Sequence, residues 1–159
     1  MDAFFQAFAL FIPILAANQA AHVVKDLRWP DRPTFPPVFG KNKTLMPFLV
    51  APTLAMIPFL LFNLVKEDLN WVVEGVYIGL GVVIAEHAKS AFKRLLGLKE
   101  GTPFFLDRID FAVGGGIGAL LCIPWVTWVH VLWLVAIAYP VHYFGNKFSH
   151  SQGWRDTPH

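Results

Sequence analysis

The sequence predicts an all-α, polytopic membrane protein with five transmembrane helices, N-terminus outside and C-terminus cytoplasmic, in one domain over residues 1–159. Three observations predict it. With 55% hydrophobic residues, 15% charged residues and a mean hydropathy of +0.50, the chain is far more apolar than a soluble domain. Five apolar stretches come near the roughly 20 residues that carry a helix across about 30 Å of hydrocarbon. Twelve of the 13 Lys and Arg residues fall on one side of the resulting topology, and the positive-inside rule makes that side cytoplasmic.

The first span covers about residues 3–24 and lacks a basic start or a small-residue cleavage site, so it reads as a retained helix, not a signal peptide. It turns polar at Asn18, Gln19 and His22. Asn18 and His22 stand four apart on one helical face, where they either look into a polar cavity or bond to a neighbouring helix. Residues 25–43 form a cytoplasmic loop carrying Lys25, Arg28, Arg32, Lys41 and Lys43. Its prolines, Pro30, Pro33, Pro36 and Pro37, stiffen it and interrupt any helix. The tip, Gly40-Lys41-Asn42-Lys43-Thr44, suits a phosphate, but it lacks the Walker A spacing and, taken alone, reads more readily as a polybasic segment drawn to anionic lipid.

The second span covers about residues 44–65 and the third about 70–96, with Lys66 alone on the outer side between them. On the third, Gly75, Gly79, Val82, Glu86, Ser90 and Lys93 follow helical spacing, small near the outer end and chemically loaded near the inner end. A second cytoplasmic loop, 97–106, turns at Gly101 to Pro103. The fourth span, about 107–122, opens with Asp107 and Asp110 on the face that continues through Gly114 and Gly118. The fifth covers about 124–144 after a tight turn at Pro124.

Carboxylates cost roughly 2.5–3.5 kcal/mol near the centre of a span, so a group of them beside apolar helices marks a functional site. Glu86, Asp107 and Asp110 converge at the inner-leaflet edge, and a hard divalent cation such as Mg²⁺ takes one or two carboxylates together with phosphate oxygens. Lys43, Lys93 and Arg94 complete the makings of a triphosphate site. Taken singly, each Asp also reads as a helix cap, and Glu86 as the partner of Ser90 and Lys93 in a structural network.

Other chemistries find little footing. A lone Cys122 rules out an internal disulfide or a thiolate metal site, and a net charge of +2 gives no reason to invoke nucleic acid. No Ser-His-acid triad is visible, and His87, His130, His142, His150 and His159 read as packing, interfacial or tail residues. A phosphate nucleophile, already ionised at neutral pH, needs no such base.

Two segments, Ala85-Glu86-His87-Ala88-Lys89-Ser90-Ala91-Phe92-Lys93-Arg94 and Leu106-Asp107-Arg108-Ile109-Asp110-Phe111, together resemble the CDP-archaeol synthase family, which is related to bacterial CDP-diacylglycerol synthases. The shared pattern is an acid, a Ser four residues on, Lys-Arg, a Gly-Thr-Pro turn and D-x-x-D. Ala17-Asn18-Gln19-Ala20 is similar to the family's N-terminal Asn motif, and Gly40-Lys41-Asn42-Lys43-Thr44 to its Gly-Lys-Lys-Thr loop. The chain departs from the family where Ala85-Glu86 stands for Gly-Asp and where Leu45-Met46-Pro47 follows Lys-Thr without a glycine.

The resemblance implies an enzyme that moves a cytidylyl group from CTP to a lipid phosphate in the bilayer, with Mg²⁺ on Glu86, Asp107 and Asp110. Asp107, Asp110, Glu86 and Lys93 would be catalytic, while Asn18, Lys43, Thr44, Ser90 and Arg94 would bind substrate. A homodimer is left open. The rival from another class is a small cation-coupled transporter or channel, against which the acids crowd one side instead of lying at midplane. A CDP-alcohol phosphotransferase would carry a D-G-x-x-A-R run, which this sequence lacks.

Overall fold

The computed structural model describes residues 2–63, 70–99 and 102–151. The end of the predicted second span beyond Asn63, Lys66 with its acidic neighbours, Gly101 of the predicted turn, Arg155 and His159 lie outside the described residues. The fold is all-helical, with α1 (Ala3–Asn18), α2 (Ala20–Asp26), α3 (Pro36–Phe39), α4 (Pro47–Asn63), α5 (Asn70–Leu95), α6 (Asp110–Cys122) and α7 (Trp128–Ser151). Among the described residues the sole β feature is an isolated bridge between Pro33 and Thr44.

Among the described residues three helical stretches are long and apolar enough to cross a membrane, Ala3–Asp26, Asn70–Leu95 and Trp128–Gly145, and two shorter apolar helices, Pro47–Leu61 and Asp110–Cys122, lie among them. Leu49, Leu61, Leu121, Leu132 and Phe144 point outward, an apolar exterior suited to lipid.

Several boundaries differ from the sequence expectation, each for a local reason. The first span is interrupted at Gln19, which separates α1 from α2. The second starts at Pro47, not Thr44, because Thr44 is held in the bridge to Pro33, and proline suits a first helical turn. The fourth is shorter than predicted. Residues Phe105–Arg108 form a separate 3-10 turn, and Ile109 at φ −130° breaks the path, so Asp107 does not belong to α6. The fifth begins at Trp128, where the His130 ring accepts the Thr127 N–H at 3.0 Å and so caps the helix start. It runs on to Ser151, well past Phe144, because nothing in that stretch breaks a helix.

Helix α5 lies at the centre, with α4 on one side and α6 on the other. Helix α1 packs across α4, α5 and α6, and α7 closes against α1 and α6. Buried Ile14, Ile78, Val82, Val83, Phe111 and Leu134 form the core. Small residues set the spacing, as expected where helices associate by packing and not by exclusion of water. A Cβ on Gly79 would stand 2.3 Å from Pro52 N of α4, and one on Gly81 would stand 2.2 Å from Gly114 O of α6. The predicted pair Gly75 and Gly79 thus faces α4, and the contact with α6 is made by Gly81.

The C-terminal end of α5 stops in a Schellman turn. Gly97 at φ 71° lets its own N–H reach Arg94 O (2.9 Å) and the Leu98 N–H reach Lys93 O (3.0 Å). That stop fixes Lys93 and Arg94 in the last turn, where cations complement the helix dipole. The proline-rich loop folds back onto α5 through buried His87, whose Nδ1 donates to Val83 O (2.8 Å). The other ring nitrogen meets the Thr34 hydroxyl at 3.1 Å, and the rings of Phe39 and Phe48 pack on the imidazole.

Candidate active site

The last three turns of α5 carry Glu86, Lys89, Ser90, Lys93 and Arg94, the 3-10 turn carries Asp107, α6 begins at Asp110, and the loop brings in Lys43. These groups meet in a charge-paired cluster. Lys43 Nζ is 3.2 Å from Glu86 Oε2. Lys89 Nζ lies between two acids, 3.1 Å from Asp107 Oδ1 and 2.7 Å from Asp110 Oδ2. Lys93 Nζ is 3.2 Å from Asp107 Oδ2 and donates to Thr102 O at 2.5 Å.

Lys93 is 7% exposed and Asp110 8% exposed, so neither charge survives there without a partner. Breaking one half of such a pair costs far more than the pair itself contributes, because it strands the other charge. The Oδ2 of Asp110 has an ionic neighbour in Lys89 but no aligned hydrogen bond, and Arg94 Nε is likewise buried without a hydrogen-bond partner.

Asp107 acts as a cap as well as an ion-pair partner, its Oδ2 accepting the Phe104 N–H at 2.8 Å. Burial pushes the Asp107 carboxyl up, but the Lys89 charge and the hydrogen bonds from Lys89, Phe104 and Lys93 outweigh it and hold the group below the ordinary carboxylate range.

Two polar cavities flank the cluster, and a groove approaches it. A cavity of about 310 Å³ is lined by Asn18, Gln19, His22, Glu86, Lys89, Asp107, Asp110 and His142 among others. Asn18 and His22 therefore look into a polar cavity, one of the two alternatives the sequence left open. A smaller cavity of about 160 Å³ is lined by Asn42, Lys43, Lys89, Ser90, Lys93, Arg94 and Asp107 together with Phe39. Along the outer side of the α5–α6 seam runs a groove of about 520 Å³, apolar from Tyr77 and Leu121 to Ala85 and Ala88. One end of it reaches Ala88, next in sequence to Lys89.

The fold brings together Glu86, Asp107, Asp110, Lys43, Lys93, Asn18, Ser90 and Arg94 around these two cavities. Ser90 donates to Glu86 O at 2.9 Å, and an Arg94 guanidinium nitrogen donates to Leu98 O. Thr44 stands apart. Its side chain bonds to Asp31, and it lines a different pocket with Lys25, Arg28 and Trp29. Asp31 Oδ1 also accepts the N–H groups of Arg32 (2.8 Å) and Met46 (3.0 Å), which makes it the hub of the loop.

The three acids do not form one ligand set as they stand: Glu86 turns to Lys43 while Asp107 and Asp110 share Lys89. Among the described residues no three His, Cys, Asp or Glu side chains stand close enough to grip one metal ion. Two carboxylates do converge on one cationic centre, now the Lys89 ammonium, and a centre of that kind fits a divalent ion that keeps its other positions for phosphate or water. Lys89 and Asp31 were given no site role from sequence, and His142, read there as a packing, interfacial or tail residue, lines the acid cavity. A Lys three residues from Glu86 on the same helix was the available signal for the first.

This arrangement of helices is similar to the solved structure of an intramembrane enzyme for archaeal membrane lipids biosynthesis. The TM-score is 0.71 at 25% sequence identity, over 90% of this chain and 94% of that one. The chain shares that enzyme's fold. No family model and no curated protein sequence matches it. Its apolar helices and this likeness make it an integral membrane protein related to an intramembrane enzyme.

Proposed function

We propose that the chain transfers a cytidylyl group from CTP to a membrane lipid phosphate, of archaeol type or phosphatidic acid, in phospholipid biosynthesis. The observation that carries this reading is the approach of an apolar groove, ending at Ala88, to a cluster of four cations and three carboxylates at one end of the α5–α6 seam. A lipid phosphate needs that juxtaposition, with tails in the groove and headgroup at the charges. The relation to an archaeal lipid enzyme adds support.

In the proposed reaction an oxygen of the lipid phosphate attacks the α-phosphorus of CTP, the new O–P bond forms, and the bond to the β-phosphate oxygen breaks to release pyrophosphate. The nucleophile is already ionised at neutral pH, so the protein's work is to position and neutralise. Lys43, Lys93 and Arg94 face the smaller cavity and would bind phosphate oxygens, with Ser90 beside them. Asn18 lines the acid cavity and would orient a headgroup. Asp107 and Asp110 would hold Mg²⁺, with Glu86 on the same cavity. When bound, the ion would supply charge neutralisation on the phosphates. Thr44 would act indirectly, by bracing the loop that carries Lys43. On this reading the charged end of the bundle faces the cytoplasm, where CTP is found.

The test is to incubate the purified protein in mixed micelles with labelled CTP, Mg²⁺ and each lipid phosphate in turn. A CDP-lipid and pyrophosphate in equal amounts are expected. Absence of product with every lipid phosphate, together with cation flux through proteoliposomes, would overturn the proposal in favour of a transporter.

A further inference from the structure

The Lys89 side chain is 13% exposed and its ammonium sits between Asp107 and Asp110, at 3.1 and 2.7 Å. It therefore holds the seat that a divalent ion bound by those two acids requires. Lys89 also lines both polar cavities, the one with the acids and the one with Lys43, Lys93 and Arg94. It stands in the wall between them.

A four-carbon stem lets this ammonium reach either side. Swinging away from the acids would carry it toward three other cations, and like charges at short range in a partly buried site repel strongly. A polyanion in the smaller cavity reverses the sign of that interaction. The move away from Asp107 and Asp110 is thus unfavourable when the cavity is free of anion and favourable when phosphates fill it.

We infer that Lys89 couples the two halves of the site: it shuts the Asp107–Asp110 seat to free divalent ions, and it leaves that seat for the phosphates when a polyphosphate binds. This rests on the phosphate-binding reading given above. Lys89 then touches substrate directly, and the site loads its ion with the nucleotide instead of before it. Linkage makes the coupling reciprocal, so an ion in the seat raises polyphosphate affinity by the factor that polyphosphate raises the ion's, while the Lys89 charge itself opposes the ion and favours the polyphosphate when each binds alone.

Two binding measurements on the full-length protein in detergent test this, and neither uses CTP or lipid. Mn²⁺ binding is followed by electron paramagnetic resonance without any polyanion, and inorganic tripolyphosphate binding by calorimetry in the presence of a chelator. For Lys89→Met we expect Mn²⁺ affinity to rise about ten-fold and tripolyphosphate affinity to fall about ten-fold. Lys89→Arg, which keeps the cation, should stay near wild type in both. A merely structural lysine would weaken both ligands or neither, and any pattern but the opposed one overturns the inference. Should Lys89→Met fail to fold, Lys89→Gln, which removes the charge but keeps a hydrogen-bond donor, is measured in its place with the same opposed shifts expected. Loss of cytidylyl transfer would leave these affinities standing, and their failure would leave transfer standing, so the two readings fail separately.

Discussion

Gly81 and Gly114 meet backbone to backbone across the α5–α6 seam: a Cβ on either residue would stand 2.2 Å from the other's carbonyl oxygen. Neither backbone yields without moving a whole helix. The same contact forms the floor of the apolar groove and sets how far Lys89 on α5 lies from Asp110 on α6. Gly81→Ala should therefore destabilise the bundle by about 1–3 kcal/mol, the usual range for overpacking, and should lower the melting temperature in detergent. Gly145→Ala, with open space around its added Cβ and a helical backbone, is the control expected to leave the melting temperature unlowered or slightly raised, since Ala is the better helix former.

Asp110→Asn keeps shape and hydrogen-bonding capacity but removes the charge that faces Lys89. We expect at least about a 100-fold loss of CDP-lipid product, in line with losses on removing a preorganised charged group from a reacting centre. Circular dichroism and the melting curve should stay close to wild type, because Lys89 keeps Asp107. Full activity in this variant would remove the acid pair from the mechanism.

The sequence made the helical class legible because apolar runs of spanning length have few other readings. The charged residues of the site were legible for a related reason, since carboxylates next to such runs need a purpose. Pairing was not legible. Spacing placed Asp107 and Asp110 on one face of a helix, yet Ile109 breaks that helix and the two acids are brought together by a cation from α5 instead. Nor did helical periodicity tell which glycine meets which neighbour, because α5 is packed on two sides and carries glycines for both. The partner of Thr44 was hidden for a similar reason: a hydroxyl beside two lysines suggests phosphate, and only the folded loop pairs it with Asp31.

Asp31 offers a pH test of the loop. Burial is the largest single influence and raises its pKa, but the hydrogen bonds from Thr44, Met46, Arg32 and Leu45 together outweigh it, and the group lies below its ordinary 3.8. A carboxyl depressed on folding contributes stability above the unfolded pKa and loses it as pH falls through the folded one. Hydrogen-exchange protection of the Met46 amide, which Asp31 accepts, should hold above pH 3.8 and fall below it. In Asp31→Ala that protection should be about ten-fold lower at neutral pH and should no longer depend on acid, since the charged acceptor is gone. An unchanged profile would show that the loop is held by His87 and its neighbours alone.

The groove admits the most selective test of the lipid half of the reaction. Ala88 stands at the end of the groove nearest the charged cluster, exposed, next in sequence to Lys89 and three residues past Ala85 of the same groove. Ala88→Trp would fill the groove just where a lipid chain joins its headgroup, while its indole stays clear of the cavity lined by Lys43, Lys93 and Arg94. The expected result is a KM for the lipid phosphate raised about ten-fold, with KM for CTP within about two-fold of wild type, because removing uniform binding raises KM without touching the chemical step. A short-chain lipid phosphate, which needs less of the groove, should be spared. Equal loss for both substrates would mean that the tails lie elsewhere, on another face of the bundle, and that the α5–α6 seam serves packing alone.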